Sequence, residues 1–158
     1  MNKSENEFIT KAIKLSIENV KKGKGGPFGA IIVKNNKIIA RGTNIVTSTN
    51  DPTAHAEIIA IRKASKKLND FNLSGSEIYT SCEPCPMCLA AIYWAGISKI
   101  YYAASKEDAA NNGFDDNFIY CEMAKTEKDR KLQIHQLSRD EALVAFKEWQ
   151  NKKDKIMY

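Results

Sequence analysis

The spacing of apolar residues predicts a helix near the start of the chain and a hairpin after it. Apolar residues three or four positions apart form one face of a helix that ends at Gly23: Phe8, Ile9, Ala12, Ile13, Ile17 and Val20. Apolar runs then span residues 30–33 and 38–40. Asn35 and Asn36 between the runs tolerate a positive φ angle, as a tight hairpin turn requires. We therefore expect two antiparallel strands after the first helix.

The middle of the chain alternates between helices and strands. We expect a helix over residues 54–68, a strand at 78–80, a helix from Pro86 to about residue 95 and a strand at 99–103. Because a helix between two strands usually connects them in parallel, this order indicates an α/β layered sandwich with at least one parallel crossover. Nearer the C-terminus, residues 132–137 alternate like a strand. Residues 140–152 predict a helix with Leu143, Phe146 and Trp149 on one side.

Length and composition indicate one globular domain over residues 1–158. Of the 158 residues, 43% are hydrophobic and 27% are charged, and a domain of this size buries enough surface to fold without disulfides. The net charge of +5 is spread along the chain without a run of five like charges, which disfavours a nucleic-acid-binding tail. The chain contains no long apolar stretch that would predict a signal peptide or a membrane span. We therefore expect a reduced, cytoplasmic protein.

Three residues have the spacing of a zinc site. The imidazole of His55 and the Cys-x-x-Cys thiols of Cys85 and Cys88 are the nitrogen and sulfur ligands that Zn²⁺ prefers. Both segments fall at expected helix starts, where the helix dipole favours thiolates. Three protein ligands leave the fourth position open for water, which is the catalytic arrangement. If Cys82 also binds, the site is closed and the zinc is structural.

Glu57 is the candidate proton carrier because it lies two residues after His55. Zinc lowers the pKa of a bound water towards about 7. Hydrolysis then needs a group that takes a proton from this water and delivers it to the leaving group, and a carboxylate next to the metal can do both. The alternative is an ordinary surface glutamate in the first turn of a helix.

The metal-binding segments resemble those of the cytidine deaminase superfamily of zinc nucleobase deaminases. The signature of that class is His-x-Glu followed by Pro-Cys-x-x-Cys, and here residues 52–57 read PTAHAE and residues 83–88 read EPCPMC. Within the superfamily, the chain is most similar to the small bacterial guanine deaminases. The matching segments are residues 25–30 (GGPFGA), 91–95 (AIYWA), 113–120 (GFDDNFIY) and the final Tyr158. The resemblance implies a three-layer α/β/α sandwich with a mixed central sheet.

The resemblance also implies a role for each matching residue. His55, Cys85 and Cys88 would hold one Zn²⁺ per subunit, with water as the fourth ligand. Glu57 would carry protons in the hydrolysis of guanine to xanthine and ammonia, a reaction of purine catabolism and salvage. The residues implied to bind the purine are Phe28, Asn44, Ala56, Trp94, Asp116 and Tyr158. The resemblance further implies a homodimer whose C-terminal segment, about residues 125–158, can be exchanged so that Tyr158 closes the partner's pocket.

Other interpretations remain open from the residues alone. Asn44 suits a turn, Phe28 and Trp94 suit the core, and Asp116 suits a solvated loop. For the whole chain, the main alternative is a tRNA-adenosine deaminase or another nucleobase or nucleoside deaminase of the same superfamily. An enzyme acting on tRNA needs a basic groove for a flipped nucleotide, and the positive charge here is diffuse. A non-catalytic zinc-stabilised module would need neither a proton carrier nor an open ligand position.

Overall fold

A computed structural model describes residues 3–157. The chain divides after Asp116 into two compact units. The first unit contains a four-stranded mixed sheet in the order β2-β1-β3-β4. Its strands are β1 (Gly29–Lys34), β2 (Lys37–Thr43), β3 (Ser76–Cys82) and β4 (Lys99–Ala104). Strand β1 pairs antiparallel with β2 and with β3, whereas β3 and β4 are parallel. The expected hairpin and parallel crossover are therefore confirmed.

Helices cover both faces of this sheet. The helices of this unit are α1 (Lys3–Lys21), α2 (Val46–Thr49), α3 (Ala56–Leu68), α4 (Pro86–Trp94) and α5 (Lys106–Ala110). Since successive residues of a strand point to opposite faces, Ile32 of β1 packs in a cluster with Ala60 of α3 and Ile92 of α4. Ile31 packs on the other side with Ala12 of α1. The observed layers, helix on sheet on helix, confirm the predicted α/β sandwich.

The first helix confirms its predicted extent, and its buried face agrees with the predicted one only in part. Its buried residues are Phe8, Ala12, Ser16 and Asn19, whereas Ile17 and Val20 are 48% and 52% exposed. The two buried polar side chains have partners: Ser16 Oγ donates to the Ile13 carbonyl, and Asn19 Nδ2 donates to two loop carbonyls. Polar groups can replace apolar ones in a core when they are hydrogen-bonded. Apolar spacing therefore predicted the buried Phe8 and Ala12 correctly and placed Ile17 and Val20 wrongly.

The second unit is helical. It contains α6 (Asn117–Ala124), a 3₁₀ turn (Glu127–Asp129) and α7 (Arg139–Asn151), and α7 confirms the expected C-terminal helix. The predicted strand at residues 132–137 is wrong: the segment is irregular, and Leu132 and Leu137 are 74% and 83% exposed. A strand needs backbone partners, and within residues 117–157 the structure contains no strand that could supply them. Among the described residues, no helix has the length and apolar content to cross a bilayer.

Candidate metal centre and substrate cavity

Two helix starts bring the metal-ligand candidates together. His55 precedes α3 and Cys85 precedes α4, both with extended backbone angles, and Pro86 occupies the first turn of α4. His55 Nδ1 lies 3.5 Å from Cys85 Sγ and 3.6 Å from Cys88 Sγ. The three ligand atoms all lie within 4.8 Å of one another.

These distances fit zinc. Tetrahedral bonds of about 2.0–2.1 Å to nitrogen and about 2.3 Å to sulfur place the two ligand atoms about 3.6 Å apart. The hydrogen bond from Cys88, assisted by His55, lowers the pKa of Cys85 to about 4. Cys85 is therefore a thiolate at neutral pH, which is the form that binds a metal. Both nitrogen–sulfur distances therefore agree with a shared tetrahedral Zn²⁺.

Cys82 takes no part in this cluster. Its thiol lies 3.4 Å from the Ser105 carbonyl oxygen and donates to it. Burial raises the pKa of Cys82 to about 11, so the thiol stays protonated. In the described part of the chain, the ligand group consists of His55, Cys85 and Cys88. The closed four-ligand alternative does not correspond to this geometry.

Glu57 is a buried residue and not a surface one. It lies in the first turn of α3, only 8% of the residue is exposed, and its side chain lines the cavity next to His55. Burial raises the pKa of the Glu57 carboxyl. A carboxyl group whose pKa moves towards neutrality can both accept and donate a proton during one turnover.

A cavity of about 320 Å³ in the first unit adjoins the ligand cluster. Six of the expected site residues line it, namely Phe28, Asn44, His55, Glu57, Cys85 and Asp116. Binding pockets for small molecules begin at about this size. The cavity is therefore large enough for one purine-sized ligand.

The loop amide of Asn44 has a fixed orientation. Asn44 Oδ1 accepts hydrogen bonds from the backbone N–H groups of Gly26 and Val46, both at 3.3 Å. Asn44 is 7% exposed and lines the cavity. Because the oxygen is used by the backbone, the amide presents its Nδ2 donor as the group for a ligand.

Two of the residues expected to bind the purine, Ala56 and Trp94, do not line this cavity. Ala56 packs in the core under the sheet and does not line the cavity, so its side chain has a packing role. Trp94 ends α4 with 73% of the residue exposed, so it is neither a core residue nor a residue of this cavity. Tyr158 lies outside the described residues.

Sequence reasoning missed several residues of the cavity wall. Phe114 packs edge-on against Phe28, with ring centroids 4.9 Å apart and planes at 87°. Glu83 also lines the cavity, and its Oε2 accepts from the backbone N–H of Lys106 at 3.1 Å. The sequence could have indicated both residues, because each lies next to an expected site residue. Glu83 precedes the Pro-Cys-x-x-Cys motif, and Phe114 precedes Asp115 and Asp116. Val46 and Thr47 of α2 also line the cavity. The sequence did not predict them, because a helix of four residues is too short to show a periodic apolar pattern.

The comparisons agree with this geometry. The family model of the cytidine and deoxycytidylate deaminase zinc-binding region matches residues 2–104. The guanine deaminase of Bacillus subtilis is 52% identical to this chain. The alignment covers 96% of this chain and 97% of the Bacillus protein. A crystal structure of guanine deaminase from the same species superposes on this chain with a TM-score of 0.94 at 51% sequence identity. The superposition covers 100% of this chain and 99% of the chain in that crystal structure.

A more partial relative is the tRNA-specific adenosine deaminase of Buchnera aphidicola. It is 43% identical, but over 56% of this chain and 58% of its own length. The ligand cluster, the sheet and the family match all fall within the first unit. The chain belongs to the cytidine and deoxycytidylate deaminase family of zinc-binding proteins.

Proposed function

We propose that this chain is a zinc-dependent guanine deaminase that hydrolyses guanine to xanthine and ammonia. The observation that carries the proposal is the cavity of the first unit, in which an open three-ligand centre lies next to the buried carboxyl of Glu57. The similarity to guanine deaminases extends over nearly the whole chain, which favours guanine over the substrates of the partial relatives.

Each proton transfer in the proposed reaction is assigned to Glu57. Zinc held by His55, Cys85 and Cys88 would polarise a water molecule so that it ionises near neutral pH. Glu57 takes a proton from the attacking water and delivers it to N3 of guanine as the water oxygen bonds to C2. Glu57 then moves the remaining hydroxyl proton to the 2-amino group. The bond from C2 to this nitrogen breaks, ammonia leaves, and C2 retains the oxygen as the new carbonyl of xanthine.

The polar residues of the cavity match the hydrogen-bonding groups of guanine. Guanine carries an N1–H and a 2-amino group on one edge, and these donors need an acceptor. Asp116 is half-buried in the cavity wall, and its carboxylate is the proposed acceptor. The Nδ2 donor of Asn44 serves an acceptor atom of the ring, and the ring of Phe28 stacks on the base.

The charge of the cavity wall opposes a tRNA substrate. Glu83, Asp115 and Asp116 line it with Lys106 as the accompanying cation. A nucleic acid brings phosphates, which require basic contacts. An acidic rim would repel the strand on either side of a flipped nucleotide, whereas a neutral free base carries no such charge.

We further propose a cytoplasmic homodimer. Metal binding by Cys85 and Cys88 requires thiolates, which a reducing compartment preserves. Tyr93 and Trp94 at the end of α4 are 77% and 73% exposed, and large exposed aromatic residues are typical of subunit contacts. In this arrangement residues 125–158 are exchanged and Tyr158 covers the partner's cavity.

A substrate panel tests the function. Zinc-loaded protein is assayed for ammonia release from guanine, guanosine, adenine, cytosine and a tRNA anticodon stem-loop. We expect guanine to be the fastest substrate, with adenine slower by a factor of at least about ten, because buried polar groups left unmatched by the wrong base cost about 1–3 kcal/mol each. Faster release from the stem-loop or from cytosine would contradict the proposal.

An isosteric variant tests the role of Asp116. Asp116→Asn should lower kcat/KM for guanine without lowering the unfolding temperature, because the acceptor charge is lost and the shape is kept. Asp140→Asn is the control, since the Asp140 side chain is 90% exposed, and it should leave kcat/KM unchanged.

A further inference from the structure

Asn19 is a buried polar residue on α1 that makes no contact with the metal-ligand cluster. It is 3% exposed, and its side-chain amide uses both of its hydrogens. Asn19 Nδ2 donates to the Gly26 carbonyl at 2.9 Å and to the Asn44 carbonyl at 2.7 Å. One side chain of the first helix therefore joins two loops that line the cavity.

The bonds between these two loops form a closed network. The Gly26 N–H donates to Asn44 Oδ1, and the Asn44 N–H donates to the Phe28 carbonyl at 3.1 Å. The Phe28 N–H in turn donates to the same Gly26 carbonyl that Asn19 holds, at 2.9 Å. The ring of Phe28 and the amide of Asn44, which face the cavity, thus take their orientation from groups that Asn19 binds.

The neighbouring glycine shows how close the two loops are. A Cβ atom at Gly25 would overlap the Asn44 carbonyl oxygen and lie 2.9 Å from Asn44 Oδ1. The close approach therefore depends on a residue without a side chain at position 25 and on a donor at position 19.

We propose that Asn19 is a positioning residue for substrate binding, which fixes the Asn44 amide and the Phe28 ring in the orientation that receives the purine. This inference rests on the proposed function and adds to it a residue outside the cavity. Loss of the Asn19 donor leaves the Asn44 carbonyl without its partner and the Gly26 carbonyl with the Phe28 N–H alone. An unmade buried hydrogen bond is costly, so the loss releases the Asn44 loop. The expected effect is on substrate binding and not on the chemical step.

Asn19→Asp is the direct test, because it keeps the size of the side chain and replaces the donor with an oxygen that faces two carbonyl oxygens. We expect KM for guanine to rise by about 10- to 100-fold, as misplaced binding groups typically cost, while kcat and the zinc content stay near the wild-type values. Asn6→Asp is the matched control. Asn6 is exposed on the same helix, so the control should leave KM unchanged.

A double-mutant cycle distinguishes positioning from general destabilisation. If Asn19 acts through Asn44, then Asn19→Asp should lower kcat/KM much less in an Asn44→Ala background than in the wild type. If Asn19→Asp lowers kcat/KM by the same factor in both backgrounds, the two residues act independently and the proposal is overturned. Gly25→Ala pushes on the same carbonyl from the other loop and should reproduce the rise in KM, which keeps the test available if Asn19→Asp folds poorly.

A spectroscopic readout separates this inference from the proposed function. The side-chain ¹⁵N–H₂ resonances of Asn44, assigned by their disappearance in Asn44→Ala, should shift or broaden in Asn19→Asp and stay in place in Asn6→Asp. This result is expected whether or not the wild type deaminates guanine, so an inactive wild type contradicts only the proposed function. Unmoved Asn44 resonances, or a KM within about twofold of the wild type in folded Asn19→Asp, would overturn the role of Asn19.

Discussion

Burial allows the Glu57 carboxyl to act both as a proton acceptor and as a proton donor. An exposed glutamate stays ionised near neutral pH and is a poor proton donor, whereas the environment of Glu57 raises its pKa by desolvation. The same residue lines the cavity beside the ligand cluster, so a proton that it accepts has a short path to a bound substrate. One carboxyl group can therefore serve both proton transfers of the proposed reaction.

Replacing Glu57 with glutamine tests this role at nearly constant volume. We expect kcat to fall by about 10²-fold or more, because the amide cannot carry a proton between water and base. The zinc content, measured by elemental analysis, should stay at about one ion per chain, as the metal ligands are other residues. Turnover near the wild-type rate would show that another group carries the protons.

Two cysteines six residues apart, Cys82 and Cys88, have opposite expected effects on metal binding. Cys82 donates to the Ser105 carbonyl, whereas Cys88 Sγ lies 3.6 Å from His55 Nδ1. Cys82→Ala should retain zinc after dialysis against a weak chelator, and Cys88→Ala should lose it. Zinc loss in Cys82→Ala would mean that four protein ligands close the site.

At the scale of elements, the site depends on how closely α3 approaches β2. A Cβ atom at Gly42 of β2 would overlap the Ala56 carbonyl oxygen and lie 2.6 Å from the Ala60 nitrogen. Ala56 and Ala60 belong to the first turns of α3, which starts directly after His55 and includes Glu57. Gly42 therefore allows the start of α3, with His55 and Glu57, to lie close to β2.

Gly42→Ala should push α3 outwards and lower the free energy of unfolding by about 1–3 kcal/mol, as overpacking of a core does. The measurement is urea denaturation followed by circular dichroism, together with zinc affinity, which should also fall. Unchanged stability and zinc affinity would show that the helix and strand can separate without cost.

A substitution at Ser76 of β3, in the same sheet, should raise the free energy of unfolding instead of lowering it. The residue is fully buried, and its Oγ has no hydrogen-bond partner among the described residues. Because an unpaired buried hydroxyl is destabilising, Ser76→Ala should raise the free energy of unfolding by about 1 kcal/mol in the same denaturation experiment. A loss of stability would indicate that the hydroxyl has a partner, such as a buried water.

At the scale of the whole molecule, local signals predicted most of the first unit. The Asn35-Asn36 turn has φ angles of 51° and 58°, because asparagine tolerates a positive φ. Pro86 starts α4, because proline fixes φ at a helical value. The spacing of His55, Cys85 and Cys88 predicted the ligand group, whereas the spacing left open whether Cys82 joins it. The burial of Asn19 on α1 was not predictable, because its partners lie 7 and 25 residues away. Contacts at such distances along the chain leave no periodic pattern.

The second unit leaves many apolar side chains exposed in a single chain. Leu143, Phe146 and Trp149 of α7 are 40%, 64% and 37% exposed, and exposed apolar groups of this number mark an interaction surface. Exchange of residues 125–158 in a homodimer would cover such a surface and bring Tyr158 to the partner's cavity. A mixed dimer can test this arrangement, because it places two different defects in two different chains.

Glu57→Gln and a chain lacking Tyr158 are each expected to deaminate guanine poorly. When the two are co-expressed with different affinity tags and the mixed dimer is purified, the chain lacking Tyr158 still has its own Glu57 and receives Tyr158 from its partner. Activity should therefore recover in the mixed dimer if the tyrosine acts on the partner's cavity. A mixed dimer of Glu57→Gln and Cys85→Ala is the control and should stay inactive, because one chain then lacks its proton carrier and the other lacks a metal ligand. If light scattering shows mixed dimers of the first pair and their activity does not recover, Tyr158 acts within its own chain or has no role in catalysis.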